Sequence, residues 1–235
     1  MDKQALRERV WDELEESGEA RFPFPPHGRI PNFAGAADAA DRLADRAVWA
    51  DADVVKSNPD SPQRPVRRRA LEAGKTVYVA VPRLRDEQCF LRLDPAEIDD
   101  LDHATTIGGA ADLGTRVGPE GMAPVDLVVS GSVAVNGRGA RVGKGEGYSD
   151  LEFAVLREFG LVDDATTTVT TVHERQFVDE AVPTTPHDVP IERVVTPERS
   201  VDTGTPDEKP AGVAWDDLAD DRIDAIPILK RLAPR

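Results

Sequence analysis

A glycine-rich segment at 143–150 (GKGEGYSD) has the residue types best suited to bind an anion. Its three glycines let backbone N–H groups approach an anion without obstruction by side chains. The helix expected to begin near Leu151 adds partial positive charge at its N-terminus, which favours phosphate. A Walker A loop is excluded because Gly145, rather than Ser or Thr, follows Lys144. A Rossmann fingerprint is excluded because Tyr148 stands where glycine is required, and a tight turn without a ligand remains the alternative.

Charged side chains border this segment. Arg141 and Lys144 are placed to neutralise phosphate oxygens. Asp150 has two interpretations: it caps the following helix through the backbone, or it ligates a Mg²⁺ ion held by a nucleotide. The apolar strand expected before the segment places it at a sheet edge, where α/β proteins commonly bind ligands. Together these residues favour a phosphate or nucleotide site.

Other chemistries find less support in the sequence. Cys89 is the one cysteine, which excludes an internal disulfide and a thiolate zinc cage, and its predicted strand indicates a buried thiol. No serine stands in a G-x-S-x-G elbow, so a hydrolase nucleophile of that type is excluded. The arginines at 67–69, with Arg83 and Arg85, form either a solvated helix face or a basic patch for RNA.

The composition indicates an acidic, globular protein. The 235 residues include 44 acidic and 29 basic side chains, with 27 Asp to 17 Glu and 23 Arg to 6 Lys. Because the formal charge of −15 is spread along the chain, it indicates a surface adapted to high salt rather than a face for a basic partner. No apolar run reaches the ~18–20 residues that span a bilayer, and the N-terminus has no signal-peptide core. We expect a cytoplasmic protein that contacts no membrane.

The pattern around the glycine segment predicts the elements that must position it. Helices are expected at 3–17, 36–49, 65–73 and 151–159, with a closing helix within 215–232. Strands are expected at 53–56, 76–81, 90–93, 125–135, 166–172 and 191–196, with a hairpin turn at Asn136-Gly137. A loop-rich stretch is expected through Gly108, Gly109 and Gly114. Helices alternating with β-rich runs imply a largely parallel sheet covered on both faces.

The segment RVGKGEGYSD, preceded by VDLVVSGSVAVNGRGA, resembles the R-x-G-x-G-x-GYYD signature of the 5-formyltetrahydrofolate cyclo-ligase family. The resemblance extends to a first helix with Lys3 and Arg7, to GKTVYVAVPRLR at 74–85 and to PHDVPIERVVT at 186–196. It covers roughly residues 1–200, with the motifs in the family's order. The stretches KSNPDSPQ, PRLR and GKGEGYSDLE are most similar to the branch called methenyltetrahydrofolate synthetase domain-containing proteins.

The resemblance implies a three-layer α/β/α sandwich with a mainly parallel central sheet. This domain would span 1–204, and a C-terminal extension at 205–235 would pack on it. The implied reaction closes 5-formyltetrahydrofolate to 5,10-methenyltetrahydrofolate and depends on ATP and Mg²⁺, with release of ADP and phosphate. Reduced folate and ATP would be the partners, and nucleic acid stays open as an alternative partner. Such a phosphoryl transfer requires reactants held in line and charge offset around them.

The resemblance also implies a role for individual residues. ATP contacts would come from Lys3, Arg7, Arg141, Gly143, Lys144, Gly145, Gly147 and Tyr148. Lys144 and Tyr148 would be the catalytic residues. Tyr148 would also face the pterin, as would Asp60, which stands where the family has a glutamate. Asp150 and Asp188 would be the carboxylates on the Mg²⁺ side.

Two positions depart from the family pattern. Glu146 replaces a residue that is usually lysine, which places a carboxylate in a loop expected to hold an anion. Ser149 replaces the second tyrosine of the signature and removes an aromatic wall. The alternative function is therefore a non-catalytic protein on the same fold that binds nucleotide, folate or RNA.

Overall fold

Thirteen short strands and nine α-helices make up the part of the chain that the computed structural model describes, residues 2–234. The strands are β1 (Ala20–Arg21), β2 (Asn32–Phe33), β3 (Val54–Ser57), β4 (Thr76–Ala80), β5 (Phe90–Leu93), β6 (Thr115–Val117), β7 (Leu127–Val129), β8 (Ala134–Asn136), β9 (Arg141–Val142), β10 (Thr167–Thr171), β11 (Phe177–Val178), β12 (Arg193–Val195) and β13 (Ser200–Asp202). The helices are α1 (Lys3–Glu16), α2 (Ala36–Ala44), α3 (Ala47–Ala50), α4 (Arg64–Glu72), α5 (Leu101–Ala104), α6 (Ile107–Leu113), α7 (Tyr148–Glu158), α8 (Asp220–Ala225) and α9 (Pro227–Leu232). Within residues 2–234, no helix combines the length and the apolar character that a membrane crossing requires.

Eight strands form the central sheet, in the order β13-β12-β10-β7-β3-β4-β5-β6. The five strands from β12 to β4 run parallel to one another, and antiparallel strands extend both edges. Val55 of β3 lies opposite Val77 of β4 and Leu127 of β7, and all three are fully buried. Parallel strands need both faces covered, which explains why nearly every residue of these strands is buried.

Helices cover the two faces of this sheet, so the predicted three-layer α/β/α sandwich is confirmed. Along β4, Val77 and Val79 join a core with α2 to α6, whereas Tyr78 and Ala80 join a core with α7 and α9. The tail contributes Leu229 to the second core and packs on this face of the sheet. The boundary between 204 and 205 stays a prediction.

A smaller three-stranded sheet, β11-β8-β9, leads into the glycine segment, which directly follows β9. Helix α1 packs on it through its predicted apolar face, Val10, Trp11 and Leu14. The predicted turn at Asn136-Gly137 is confirmed, because β8 pairs antiparallel with β9. The side-chain oxygen of Asn136 accepts hydrogen bonds from two backbone N–H groups within this turn.

The single strand predicted at 125–135 is wrong, since β7 and β8 belong to different sheets. The backbone leaves the central sheet after Ser130, where side chains bind its peptide groups. The N–H of Gly131 donates to Asn58 Oδ1 at 3.0 Å, and its carbonyl accepts from Arg141 Nη1 at 2.9 Å. Thr170 Oγ1 donates to the carbonyl of Ser130 at 2.7 Å. These partners come from distant parts of the chain, and strand propensity could not anticipate them.

The stretch around Gly108 and Gly109 is also helical rather than loop-rich, forming part of α6. Thr106 caps this helix by accepting a hydrogen bond from the N–H of Gly109 at 2.9 Å. A Cβ on Gly109 would lie only 1.9 Å from the carbonyl oxygen of His103. The glycine therefore permits close packing between α5 and α6, which places α6 against the cavity described below.

Candidate functional site

A cavity of about 360 Å³ opens where the parallel strands β3, β4 and β7 end. Its wall includes residues that directly follow those strands: 58–60 after β3, 81–83 after β4 and Gly131 after β7. Parts of α6 and the glycine segment complete it. Open α/β sheets commonly bind ligands at the carboxyl ends of their parallel strands. The cavity is thus where the fold favours a binding site.

The glycine segment leads into α7, which begins at Tyr148 rather than at the expected Leu151. Gly147 precedes the helix with φ 67°, a left-handed conformation that favours glycine. No side chain caps α7, so the amides of its first turn have no capping partner within the described residues. Such a helix start offers several N–H donors and a partial positive charge to an anion.

Asp150 does not cap α7, so the capping interpretation is wrong. Its Oδ1 atom accepts hydrogen bonds from Arg141 Nη2 at 2.6 Å and from the N–H of Val189 at 3.0 Å. The Arg141 side chain is only 5% exposed and that of Asp150 is 16% exposed. Because Arg141 also donates to the carbonyl of Gly131, its guanidinium connects Asp150 of α7 to the backbone that follows β7. If Arg141 contacts phosphate as predicted, its guanidinium must do so while it also donates to Gly131 and Asp150.

Lys3 and Asp188, implied to bind ATP and Mg²⁺ respectively, contact each other. Lys3 Nζ lies 2.8 Å from Asp188 Oδ2, which also accepts from the N–H of Thr185 at 2.8 Å. Burial raises the pKa of Asp188, but the bonds from Lys3 and Thr185 outweigh it, and the pKa is lowered. Asp188 is therefore held as a carboxylate beside the start of α1.

The acidic side chains of Asp150 and Asp188 line a second cavity, of about 170 Å³, which shares Gly147 and Asp150 with the larger one. Within residues 2–234 no cluster of three or more His, Cys, Asp or Glu side chains could hold a metal. Mg²⁺ is commonly held by one or two carboxylates together with substrate phosphates. Hydrogen bonds engage Asp150 at Oδ1, which leaves Oδ2 for such a role. Both oxygens of Asp188 accept from Lys3, so Asp150 fits a Mg²⁺ ion that a nucleotide helps to bind, whereas Asp188 would have to share its oxygens with Lys3.

Cations surround the glycine segment as expected, but Glu146 engages two of them. Its carboxylate lies 2.8 Å from Lys144 Nζ and 3.4 Å from Arg83 Nη2. The bond from Lys144 lowers the pKa of Glu146. Arg7, on α1, donates from Nε to the carbonyl of Gly143 at 2.7 Å. The extra carboxylate is therefore neutralised within the loop, and Lys144 remains near its glycines.

Tyr148 and Asp60 both line the larger cavity, as the resemblance implied. Among the described residues no side chain donates a hydrogen bond to the carboxylate of Asp60 or forms an ion pair with it, which leaves it available to a ligand. Burial raises the pKa of Asp60, and the charges of Lys144 and Arg67 oppose that rise. A half-buried carboxylate without a partner is typical of a group that binds a polar ligand.

The arginines at 67–69 do not form an open basic patch. Arg67 is 2% exposed, and it donates to the backbone carbonyls of Pro59 at 3.1 Å and Thr105 at 2.8 Å. Burial lowers its pKa to about 10. Arg68 and Arg69 form ion pairs with acidic side chains, namely Asp41, Glu72 and Asp102. Arg67 instead fixes the loop that carries Asp60.

A buried polar network beneath the loop was missed by sequence reasoning. Lys56 of β3 forms an ion pair with Glu152 of α7, and both side chains are almost fully buried. Asn58 donates to Glu152 Oε2 at 3.1 Å and accepts from Ser149 Oγ at 3.0 Å. The available signals were a lysine inside an apolar strand and a glutamate on the apolar face of a helix. This network ties the start of α7 to the end of β3.

Arg222 of α8 was also missed, because nothing in the tail sequence points to the glycine segment. It donates from Nη2 to the carbonyl of Glu146 at 2.7 Å, and its guanidinium lies 5.0 Å from the ring centre of Tyr148.

Cys89, in contrast, is the buried thiol that was predicted. Desolvation raises its pKa to about 12, which makes it a poor nucleophile.

The chain resembles known proteins in sequence and in fold. It is 42% identical over 240 residues to the methenyltetrahydrofolate synthase domain-containing protein of Mus musculus, a match that covers 100% of this chain and 64% of the relative. Identity to the protein of that name from Homo sapiens is 39% over 241 residues, covering 100% and 62%. The chain thus spans less than two thirds of the length of these relatives.

A solved structure shares the fold. The NMR structure of 5,10-methenyltetrahydrofolate synthetase from Aquifex aeolicus superposes with a TM-score of 0.55 at 19% identity, covering 86% of this chain and 93% of that one. The sequence model of the 5-formyltetrahydrofolate cyclo-ligase family matches residues 1–197, which include every residue of the glycine segment and both carboxylates beside it. This chain is therefore a member of the 5-formyltetrahydrofolate cyclo-ligase family.

Proposed function

We propose that the chain catalyses the ATP- and Mg²⁺-dependent cyclisation of 5-formyltetrahydrofolate to 5,10-methenyltetrahydrofolate, with release of ADP and phosphate. One observation carries the proposal. The glycine segment, with Arg7 and Lys144 beside it, borders the same cavity as the unpaired carboxylate of Asp60. Family membership supports the choice of reaction. Reduced folate and ATP are the proposed partners, and the cytoplasm is the proposed location.

The proposed reaction joins two substrates at this cavity. The formyl oxygen takes the γ-phosphoryl group of ATP, N10 of the folate then adds to the activated formyl carbon, and phosphate leaves with that oxygen. N10 releases its proton on ring closure. The main task of the protein is to hold both substrates in line and to offset the charge that moves between them.

The residues divide this task between a phosphate side and a pterin side. Backbone N–H groups at Gly145, Gly147 and the first turn of α7 bind phosphate oxygens, and Lys144 offsets their charge. Tyr148 packs on the pterin, and Asp60 accepts hydrogen bonds from its polar N–H groups. Mg²⁺ would be held by the carboxylates of Asp150 and Asp188 together with phosphate, and it supplies positive charge against the transferring group.

The alternative is a protein that binds nucleotide or folate without turnover. One observation favours it: the carboxylate of Glu146 engages Lys144 and Arg83, cations that an ATP phosphate would otherwise meet. Binding of RNA has less support, because Arg67 is buried and its neighbours are paired. The alternative and the enzyme differ only in whether bound substrates react.

The test is to mix the protein at high salt with 5-formyltetrahydrofolate, ATP and Mg²⁺ and to follow the absorbance of methenyltetrahydrofolate. We expect product that depends on both ATP and Mg²⁺. Lys144→Ala should weaken ATP affinity about 10- to 150-fold, since a hydrogen bond to a charged group contributes ~1.5–3 kcal/mol. Lys230→Ala is the matched control, because Lys230 lies on α9 and pairs with Asp224. Calorimetric ATP binding without product would favour the alternative, and neither binding nor product would refute both.

A further inference from the structure

Arg222 connects the C-terminal extension to the glycine segment. It lies on α8, 25 residues beyond the last residue matched by the family model, which ends at 197. Its Nη2 atom donates to the carbonyl of Glu146 at 2.7 Å, and its guanidinium lies over the ring of Tyr148 at 5.0 Å. It also lines the smaller cavity, beside Gly147 and Asp150. One side chain from the extension thus contacts two parts of the proposed site.

The bond to Glu146 fixes the orientation of a peptide group. A peptide unit is planar and trans, so its carbonyl and the N–H of the next residue point in opposite directions. Holding the Glu146 carbonyl toward Arg222 therefore directs the N–H of Gly147 away from Arg222. Gly147 has a left-handed φ of 67° and no side chain, so few other contacts constrain it. Arg7 holds the Gly143 carbonyl in the same way, which orients the N–H of Lys144.

The contact with Tyr148 constrains the second group. A guanidinium within about 6 Å of an aromatic ring is attracted to its face, and a planar cation can stack on it. Tyr148 is the first residue of α7, and it is partly exposed where it lines the larger cavity. Arg222 covers the ring from the side of the extension.

Anchoring of the extension does not require Arg222. The buried side chains of Ile226, Ile228 and Leu229 already hold the tail in the core beneath α7. Arg222 is only partly buried, and its polar contacts within residues 2–234 go to the glycine segment. The position of Arg222 is therefore explained better by its contacts with the glycine segment than by a role in anchoring the tail.

We propose that Arg222 is a positioning residue, supplied by the extension, which sets the Glu146–Gly147 peptide and the Tyr148 ring for ligand binding. For the identity of the ligands this rests on the proposed function. Positioning itself does not, because it concerns the order of the loop before any ligand binds. Arginine is required because lysine provides the charge but neither the planar group nor the two separate N–H directions.

Hydrogen exchange of the ligand-free full chain tests the positioning directly. In Arg222→Ala we expect the amide of Leu151, which donates to the carbonyl of Gly147 at 3.2 Å, to exchange several-fold faster than in the parent protein, since the residue that precedes α7 is no longer held. Arg231→Ala is the matched control: Arg231 lies over Phe159 at 5.7 Å and pairs with Glu120, outside the loop. It should leave exchange at Leu151 unchanged. Equal exchange in the parent and Arg222→Ala would overturn the proposal.

Calorimetry then measures the effect on ligands. We expect Arg222→Ala to weaken the affinity for ATP about fivefold to tenfold, with Arg222→Lys between Ala and the parent. Arg231→Ala should bind ATP as the parent does. Weaker binding in both Ala variants would indicate general loosening of the tail and would overturn the specific role of Arg222. If the parent binds no ATP and forms no product, the proposed function fails, whereas the exchange experiment still decides whether Arg222 orders the loop.

Discussion

Replacing Asp150 with asparagine distinguishes between two possible roles of its carboxylate. Capping is excluded, since Gly147 stands at the cap position and Asp150 bonds to Arg141 and Val189 instead. One role is therefore structural, as the charged partner of a buried arginine. The other is catalytic, as a ligand of Mg²⁺ through its second oxygen. Asparagine retains an oxygen at the Oδ1 position, so the hydrogen bonds can persist while the negative charge is lost.

The stability change follows from the burial of the pair. The two atoms lie 2.6 Å apart, and the side chains are 5% and 16% exposed, so solvent screens the interaction little. Removing one partner of a buried ion pair costs ~3–5 kcal/mol, and Asp150→Asn loses only part of this because the amide oxygen keeps the hydrogen bonds to Arg141 and Val189. We expect the free energy of unfolding to fall by about 2 kcal/mol. For a chain of this size, that lowers Tm by ~4–8 °C.

The assay combines thermal melting with turnover measured over a range of Mg²⁺ concentrations. Asp164→Asn is the matched control: Asp164 also bonds an arginine, Arg157, at 2.7 Å, but its side chain is 81% exposed. An exposed pair contributes ~0–1 kcal/mol, so the control should melt within a few degrees of the parent. If Asp150 ligates Mg²⁺, turnover of Asp150→Asn should fall steeply and recover partly at raised Mg²⁺.

Each arm of this experiment can refute its own part of the reasoning. An Asp150→Asn variant that melts with the parent would refute the stabilising role of the buried pair. A variant that cyclises 5-formyltetrahydrofolate at the parent rate, with the parent Mg²⁺ dependence, would remove Asp150 from the metal site. Lower Tm with parent Mg²⁺ dependence would leave Asp150 as the structural partner of Arg141 alone.

Three further predictions concern single features. Glu146→Gln should tighten ATP affinity several-fold in calorimetry, because it removes a negative charge that engages Lys144 and Arg83; unchanged or weaker binding would contradict this. Asp60→Asn should weaken folate binding yet raise Tm at pH 7, since burial raises the pKa of Asp60 and the ionised form therefore destabilises the fold. That gain should vanish as the pH falls to the ordinary value of 3.8, where the unfolded chain also begins to protonate; a gain independent of pH would refute this cause. The charge of −15 predicts that Tm rises between low and molar KCl, and a flat or falling Tm would exclude adaptation to high salt.

Local sequence determined the elements whose signals lie within a few residues of each other. The predicted strand at 90–93 and the helix at 3–17 agree with β5 and α1 within one residue. Their propensities and apolar spacing act over short distances, and so do the turn at Asn136-Gly137 and the anion-binding character of the glycines. The motifs of the family resemblance were equally local: the glycine signature supplied Lys144 and Tyr148, and the segment at 56–63 supplied Asp60. All three line one cavity.

Tertiary structure decided how those pieces are joined and which charges remain free. The apolar run at 125–135 became two strands because the side chains of Asn58, Arg141 and Thr170 bind the backbone at 130 and 131. Arg67 became a buried support for the Asp60 loop, and Asp150 became the partner of Arg141. Arg222 reached Glu146 across 76 positions of sequence. Each outcome depends on which distant group satisfies a buried polar atom, and that is fixed only when the whole chain packs.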